Sequence, residues 1–456
     1  METFNWSRQH CSFMSFLFTQ FEQQHIKYFI LRNYSELPEY NTAKDIDIVI
    51  EPGKYKATRE ILINAMHKFN IEYYTIHKFD RMRCWYIMDL KKHFSIHIDI
   101  IENELYKGYE YFQFKELYAN VIPYKNFYVL NPVYDTVMLL IQNLVAYKQL
   151  KQKYRKTIEL NYSKYPQEIE KLIIDFWGNK IGSKLISNLK LSQFDNIVEN
   201  AKEFEHVAKK RMFRKRPFYT SINIIRFLSE KFSQIVICPK ERRKFFAVEA
   251  PDGTGKTTFI NELIKELSFF YNCGHERFKI HHFRPSFLPN LGAAGEKAGV
   301  MKQDKDFTNP HRAKPVGKIS SFIRMTYYWI DYVFGVPILL RKESQYGEYT
   351  IFDRYIYDFL VDPRRSRINL PYWLRIVFTK LTQTPRIIFI LKATPSIVYK
   401  RKQELTLNEI TRQMADFEKL QYINKNCVFI NADNNPQQMV NDALQIIMTK
   451  FMHKIS

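Results

Sequence analysis

The stretch FFAVEAPDGTGKTTFINELIKEL, residues 245–267, constrains this chain more than any other. An apolar run of strand character feeds a turn containing Gly253 and Gly255, and helical spacing begins near Lys256. Main-chain N–H groups in such a turn point inward. With a helix N-terminus behind them, they bind phosphate oxygens. Lys256 is spaced to reach the β- and γ-phosphates of a nucleoside triphosphate, and the Thr257 hydroxyl to ligate Mg²⁺. The usual pattern, G-x-x-x-x-G-K-[ST], opens on glycine, whereas this chain has Ala250. Alanine costs little there if its φ is negative, because its methyl group then meets no clash. Gly253, Thr254, Gly255, Lys256, Thr257 and Thr258 are thus the candidates for holding ATP and Mg²⁺.

The same alternation continues to the C-terminus. KFFAVEA, FKIHHF, YTIFD, RIIFILKA and CVFINA read as strands with helical stretches between them. This texture predicts an α/β domain over 241–456, a parallel sheet flanked by helices on both faces. Residues 1–130 read differently. KYFILR, DIDIVIE, EYYTIHKF, RCWYIMDL and HFSIHIDII are strand-like, and KYKATREILINAMHKF puts Ile61, Leu62, Ala65 and Met66 on one helical stripe. The strict alternation of DIDIVIE predicts a half-buried strand. Residues 131–240 read as a helical linking region. YDTVMLLIQNLVAYKQLKQKY repeats apolar residues at three and four, and PQEIEKLIIDFWG begins on proline and ends on glycine. The densest basic run, AKKRMFRKRPF, reads as a solvated helix end beside a linker, and CPKERRK (238–244) as the connection into the last domain.

Bulk properties narrow the partners. A chain of 456 residues with 46% hydrophobic and 16% aromatic content suits two or three packed domains. Its formal charge of +22 favours anionic partners: nucleotides, nucleic acid or a membrane surface. The five cysteines form no C-x-x-C pair, which argues against a zinc knuckle and fits a reducing cytoplasm. The N-terminus lacks the order of a signal peptide. MTYYWIDYVFGVPILL, residues 325–340, carries Asp331 and Pro337 and is shorter than the ~20 residues of a membrane span. It reads as a buried helix end and loop.

FFAVEAPDGTGKTT resembles the F-E-G-x-D-G-x-G-K-[ST]-T segment of the thymidylate kinase family, with Glu249, Asp252, Gly253, Gly255, Lys256, Thr257 and Thr258 matching. YTIFDRY, residues 349–355, resembles the family's D-R-[YFH] element. The resemblance implies that Asp252 and Arg354 handle the acceptor and that Asp353 joins Thr257 around Mg²⁺. It also implies acceptor contacts from Arg284 in HHFRP and Arg324 in SSFIRMTYYW. LKATPSIVYKRKQEL resembles the segment leading into the family's lid, which implies that Arg401, Lys402 or Arg412 closes over the transferring phosphate. Residues 285–318 form a long Pro-, Gly- and Lys-containing insertion where the acceptor's surroundings would lie. The expected reaction is phosphoryl transfer from ATP·Mg²⁺ to a small anionic acceptor, most readily a nucleoside monophosphate such as dTMP. Other anionic acceptors stay open.

A second resemblance lies upstream. Asp45 and Asp47 form a D-x-D pair in DIDIVIE, and Asp99 lies in HFSIHIDII. This is similar to the DNA polymerase beta-like nucleotidyltransferase superfamily, in which three carboxylates hold metal ions for nucleotidyl transfer. Asp45, Asp47 and Asp99 are therefore candidate metal ligands. That superfamily has Gly-Gly or Gly-Ser before the pair, and this chain has Arg32-Asn33. Two alternatives to the kinase remain: nucleotidyl transfer by residues 1–130, and a non-catalytic protein that binds nucleotide or nucleic acid.

Overall fold

Short apolar runs become the strands of two separate sheets. The computed structural model describes residues 6–455 except 42, 81, 104, 238–243, 290–316 and 345–348. Cys238, the CPKERRK connection up to residue 243 and most of the 285–318 insertion lie outside the described residues. The chain forms two compact units. One comprises Met1–Lys231, Phe270–Asn272 and Lys454–Ser456, and the other Phe232–Phe269 and Cys273–His453.

In the first unit the strands are β1 (Tyr28–Ile30), β2 (Ile46–Ile50), β3 (Tyr73–Phe79), β4 (Met82–Asp89) and β5 (Phe94–Ile101). A small ribbon follows, β6 (Leu105–Tyr106) with β7 (Tyr109–Glu110), and then β8 (Val121–Tyr124) and β9 (Phe127–Leu130). The main sheet runs β3-β4-β5-β2-β1-β9-β8. It is mixed: β2 pairs parallel with β5 and antiparallel with β1. The alternation of DIDIVIE predicts one wet face for β2, yet all five of its residues are buried. The strand is central, and both its faces are covered. Ile46, Ile48 and Ile50 join the core under helices Arg8–Gln23 and Tyr55–Lys68, while Val49 joins the core built with the helices of residues 132–212. Asp47 shares the second face, and Asp45 stands just before the strand.

The helical region departs from one regular run. Helix Pro132–Ile141 passes into a π-helical turn, Gln142–Tyr147, and stops at Lys148, whose φ of 53° is left-handed. Helix Gln152–Lys164 resumes after it. Helix Pro166–Trp177 ends at Gly178, φ 82°, as its sequence predicts.

In the second unit β10 (Lys244–Glu249), β11 (Phe278–His282), β12 (Tyr349–Asp353), β13 (Ile387–Lys392) and β14 (Cys427–Asn431) form a five-stranded sheet, order β11-β12-β10-β13-β14. Every neighbouring pair is parallel. Phe245, Ala247 and Phe352 face helices Lys318–Ser344 and Leu407–Ile423. The alternate residues Phe246 and Phe389 face the other way, where Phe259 of helix Lys256–Phe270 meets Phe389. Residues 325–340 are not a helix end and loop. They lie inside the helix Lys318–Ser344, which continues through Pro337. An interior proline costs about 3 kcal/mol. The buried stripe of Met325, Tyr328, Tyr332, Val336 and Leu340 spans it and holds the helix together. Among the described residues no helix is long and apolar enough to cross a membrane.

One close approach in the first unit is testable. Gly108 turns the β6–β7 ribbon at φ 88°, and a Cβ there would stand 2.6 Å from the main-chain nitrogen of Ile224. Gly53 has a φ of 87° but nothing within 4 Å. Gly53→Ala should therefore cost only the backbone strain, about 1–2 kcal/mol. Gly108→Ala should cost at least about 1 kcal/mol more, because main chain cannot move aside as a side chain can. Denaturant melts of the two variants measure the difference.

Candidate functional site

β10 and β12 pair with Val248 opposite Asp353, so two sequence segments a hundred residues apart finish at one sheet edge. The loop after β10 and the turn after β12 line a common cavity of about 460 Å³. Its walls include Asp252, Gly253, Gly255, Lys256, Thr257, Thr258, Asp353, Arg354, Arg365, Arg401 and Lys402, with His282 and Phe283 from the end of β11. Thr254 is buried beneath the loop, and its hydroxyl donates to Pro251 O at 2.7 Å.

The loop glycines are needed where they stand. Gly253 and Gly255 have φ of 86° and 95°. A Cβ at Gly253 would also stand 2.9 Å from Cβ of Lys402, so glycine lets helix Pro395–Arg401 close down on the loop. Ala250 is fully buried and does not have a positive φ, which explains why alanine serves at that position.

Asp252 is the hub of the charges. Its Oδ1 accepts from Arg354 at 2.6 Å, its Oδ2 accepts from Arg365 at 3.0 Å, and Lys256 Nζ lies 3.8 Å away. Burial pushes the Asp252 carboxyl up. Arg354 foremost, then Lys256 and Arg365, hold it well below the usual carboxylate range. Lys256 is almost wholly buried and donates to Ala250 O at 3.0 Å. Burial and then the Arg354 cation pull it down to about 8, against Asp252 and Asp353.

Arg354 has a φ of 72°, which is strained for a non-glycine residue. Several contacts impose that conformation. The guanidinium bridges Asp252 and Asp358 (2.7 Å), its own N–H donates to Val248 O at 3.0 Å, and Tyr355 N donates to Glu249 Oε1 at 2.8 Å. Burial and the neighbouring Asp358 push buried Glu249 well above the carboxylate range, so it acts as a neutral brace.

Asp353 Oδ1 is buried and accepts no hydrogen bond, while Oδ2 lies 3.3 Å from His282 Nδ1. An orphaned carboxylate oxygen and the Thr257 hydroxyl lining the same cavity make a hard oxygen-donor set, which fits Mg²⁺. Five cations against two carboxylates in the lining fit a polyanion.

Three other candidates do not line this cavity. Arg284 is held by Asp331 at 2.8 Å and by Leu288 O at 2.8 Å. Arg324 sits on helix Lys318–Ser344 with its Nε buried and unpaired. Arg412 is tied to Glu409 (2.6 Å) and Asp416 (2.7 Å) on its own helix. Arg365 and His282 line the cavity without having been singled out from the sequence. The basic run PRRSR, residues 363–367, shortly after D-R-Y was the available signal for Arg365.

In the first unit the carboxylate oxygens of Asp45, Asp47 and Asp99 lie within 4.8 Å of one another, because Asp47 and Asp99 are opposite in the β2–β5 register. Two of the three are already engaged. Arg32 donates to both oxygens of Asp47, at 2.6 and 3.3 Å, and His97 Nε2 is 2.8 Å from Asp99 Oδ1. Burial raises Asp47 to about 6 despite Arg32, with Asp45 and Asp99 adding to the rise. Asp99 is lowered: burial is the largest single effect and opposes the ionised form, but His97, Cys84 and Arg32 together outweigh it. Asn33, at the expected glycine position, has the left-handed φ of 55° that glycine would supply.

No protein-family model and no curated protein matches the chain. Among solved structures, the thymidylate kinase from Ehrlichia chaffeensis aligns with 15% sequence identity and a TM-score of 0.31. The alignment covers 45% of this chain and 98% of that one.

Proposed function

We propose that this chain transfers the γ-phosphoryl group of ATP, with Mg²⁺, to a small anionic acceptor, in the first place a nucleoside monophosphate such as dTMP. The observation that carries this reading is the shared cavity: the glycine loop with Lys256 on one side and Asp353–Arg354 on the other. Loop amides between Pro251 and Thr258 cradle the donor's phosphates, and Lys256 spans the β- and γ-oxygens. Thr257 Oγ1 and the Asp353 carboxylate would hold Mg²⁺, which would supply charge neutralisation for the transferring phosphate.

Asp252 keeps Arg354 and Arg365 in place until an acceptor phosphate takes over their donors. Arg354 offers a planar fork to that phosphate, and Arg365 adds a second cation beside it. Arg401 and Lys402 approach from helix Pro395–Arg401 and offset charge as the phosphoryl group moves. An acceptor phosphate is already ionised, so no strong general base is needed and positioning carries most of the catalysis.

The test is ADP release from ATP across a panel of nucleoside monophosphates. Lys256→Ala should lower kcat/KM roughly 100- to 1,000-fold. Arg365→Ala should raise the acceptor KM about tenfold while leaving ATP affinity nearly unchanged. A panel in which no member exceeds the Lys256→Ala background sinks the proposal.

Lys256 also gives a pH signature. Its folded value, about 8, lies below the ordinary lysine value of 10.5, so between these limits the unfolded chain binds more protons. Stability of the free protein therefore gains from this group as pH rises through that window. Nucleotide binding needs the ammonium and runs the other way. ATP affinity should be flat below about pH 8 and weaken by up to about tenfold per pH unit above it. Calorimetric titration should show this slope in the native protein and a flat profile in Lys256→Arg.

The convergence of Asp45, Asp47 and Asp99 favours a second reading, metal-dependent nucleotidyl transfer by the first unit. Arg32 stands against it by occupying both oxygens of Asp47. The discriminating variant is Asp45→Ala with Asp47→Ala. It should leave phosphoryl transfer intact, and loss of activity there with retention in Lys256→Ala would move the chemistry to the first unit.

A further inference from the structure

The helix Pro217–Phe232 is mounted inside out. Its buried residues are polar, Thr220 and Asn223. The same side is tied down by polar contacts: Tyr219 Oη donates to Glu110 at 3.2 Å, Arg226 to Asp80 at 2.6 Å, and Lys78 pairs with Glu230 at 2.8 Å. The main chain at Asn223–Ile224 rests on the glycine turn of the β6–β7 ribbon.

The apolar stripe faces outward. Phe218 is 85% exposed, Ile222 66%, Ile225 67% and Leu228 58%. These positions recur at three and four and form one stripe along the helix. Leaving four such side chains in water works against the hydrophobic effect, so the stripe signals something that covers it.

Charge selects the cover. The only acidic residue of this helix, Glu230, is already paired with Lys78. In the chain just before this helix, Phe213 and the bases Lys210, Arg214 and Lys215 are all exposed. An apolar stripe headed by a cluster of bases matches the interface of an anionic bilayer, where the helix lies in the plane with acyl chains below and headgroups around the bases. A second copy of this chain would bring together two molecules of +22 each and offer the bases no anionic partner at the helix, whose one acidic residue is already paired. A nucleic-acid backbone would engage the bases and leave the stripe in water.

We propose that the face of Phe218, Ile222, Ile225 and Leu228, with the exposed bases just before it in the chain, docks the protein on anionic phospholipid membranes. The helix lies on the surface and does not cross it.

The experiment is co-sedimentation of the full chain with vesicles of phosphatidylcholine alone and with roughly one third phosphatidylglycerol. Binding to the anionic vesicles should exceed binding to neutral ones at least about tenfold and should weaken with salt. The variant Ile222→Gln/Ile225→Gln/Leu228→Gln should lose about tenfold in partitioning without a lower melting temperature, since the replaced side chains touch water. In a separate Phe218→Trp variant, tryptophan emission should shift to the blue on anionic vesicles. Three results overturn the proposal. The native chain stays in solution; the triple variant binds as well as the native chain; or Phe218→Trp emission is unmoved. A dimer that the triple variant dissolves, with no vesicle binding, would assign the stripe to a second copy instead. Binding to a nucleic-acid duplex unaffected by the triple variant, again with no vesicle binding, would leave only the bases with a role.

Discussion

The parallel pairing of β10 with β12 is the constraint on which the second unit depends. With Val248 opposite Asp353, the glycine loop and the Asp-Arg-Tyr turn leave the sheet at the same level. The hydrogen bond from Arg354 N to Val248 O carries the pairing one residue beyond β12. A slip by one residue would turn Asp353 to the other face of the sheet and remove the carboxylate from the cavity. The strain at Arg354 is the local cost of this arrangement. Asp252, Asp358 and the Glu249 brace offset it.

The cavity is a balance of charges held ready. Without ligand, Asp252 is the counter-ion for Arg354, Arg365 and Lys256. These cations stay in place because a buried carboxylate holds them, and an entering polyanion meets donors that are already oriented. The same burial lowers Lys256 and leaves Asp353 Oδ1 without a partner. Both features suit a site whose charges are completed by what binds.

The first unit solves a different problem. Its central strand is buried on both faces, so its carboxylates are stable only where a counter-charge reaches them. Arg32 supplies that for Asp47, and on neighbouring β5 Asp99 is hydrogen-bonded to His97. The arrangement keeps three carboxylates together while engaging two of them from within. The helix Pro217–Phe232 shows the converse, polar inward and apolar outward.

Strands β1–β5, the five strands of the second unit and the strand-turn-helix of the glycine loop were legible in the sequence, because local periodicity and turn chemistry determine them, whereas the short strands β6–β9 were not. The residues proposed to hold the donor could be named from the sequence, since Gly253 to Thr258 are consecutive. Other features were not. Pro337 reads as a helix end until the buried stripe on both sides of it is known. DIDIVIE reads as half-buried because alternation cannot report what covers the second face. Arg284 reads as a free cation, and only folding shows that Asp331, 47 positions away, has claimed it; the ties of Arg412 to Glu409 and Asp416 on its own helix follow from their spacing of three and four. Arg365 joined the site through Asp252, a residue 113 positions away. Sequence by itself determined the longer strands and the glycine turn between β10 and its helix, which depend on neighbours along the chain. Tertiary structure decided which charges distant in the chain meet, such as Arg354 and Arg365 on Asp252, because Coulomb forces and burial act through space and take no account of chain order.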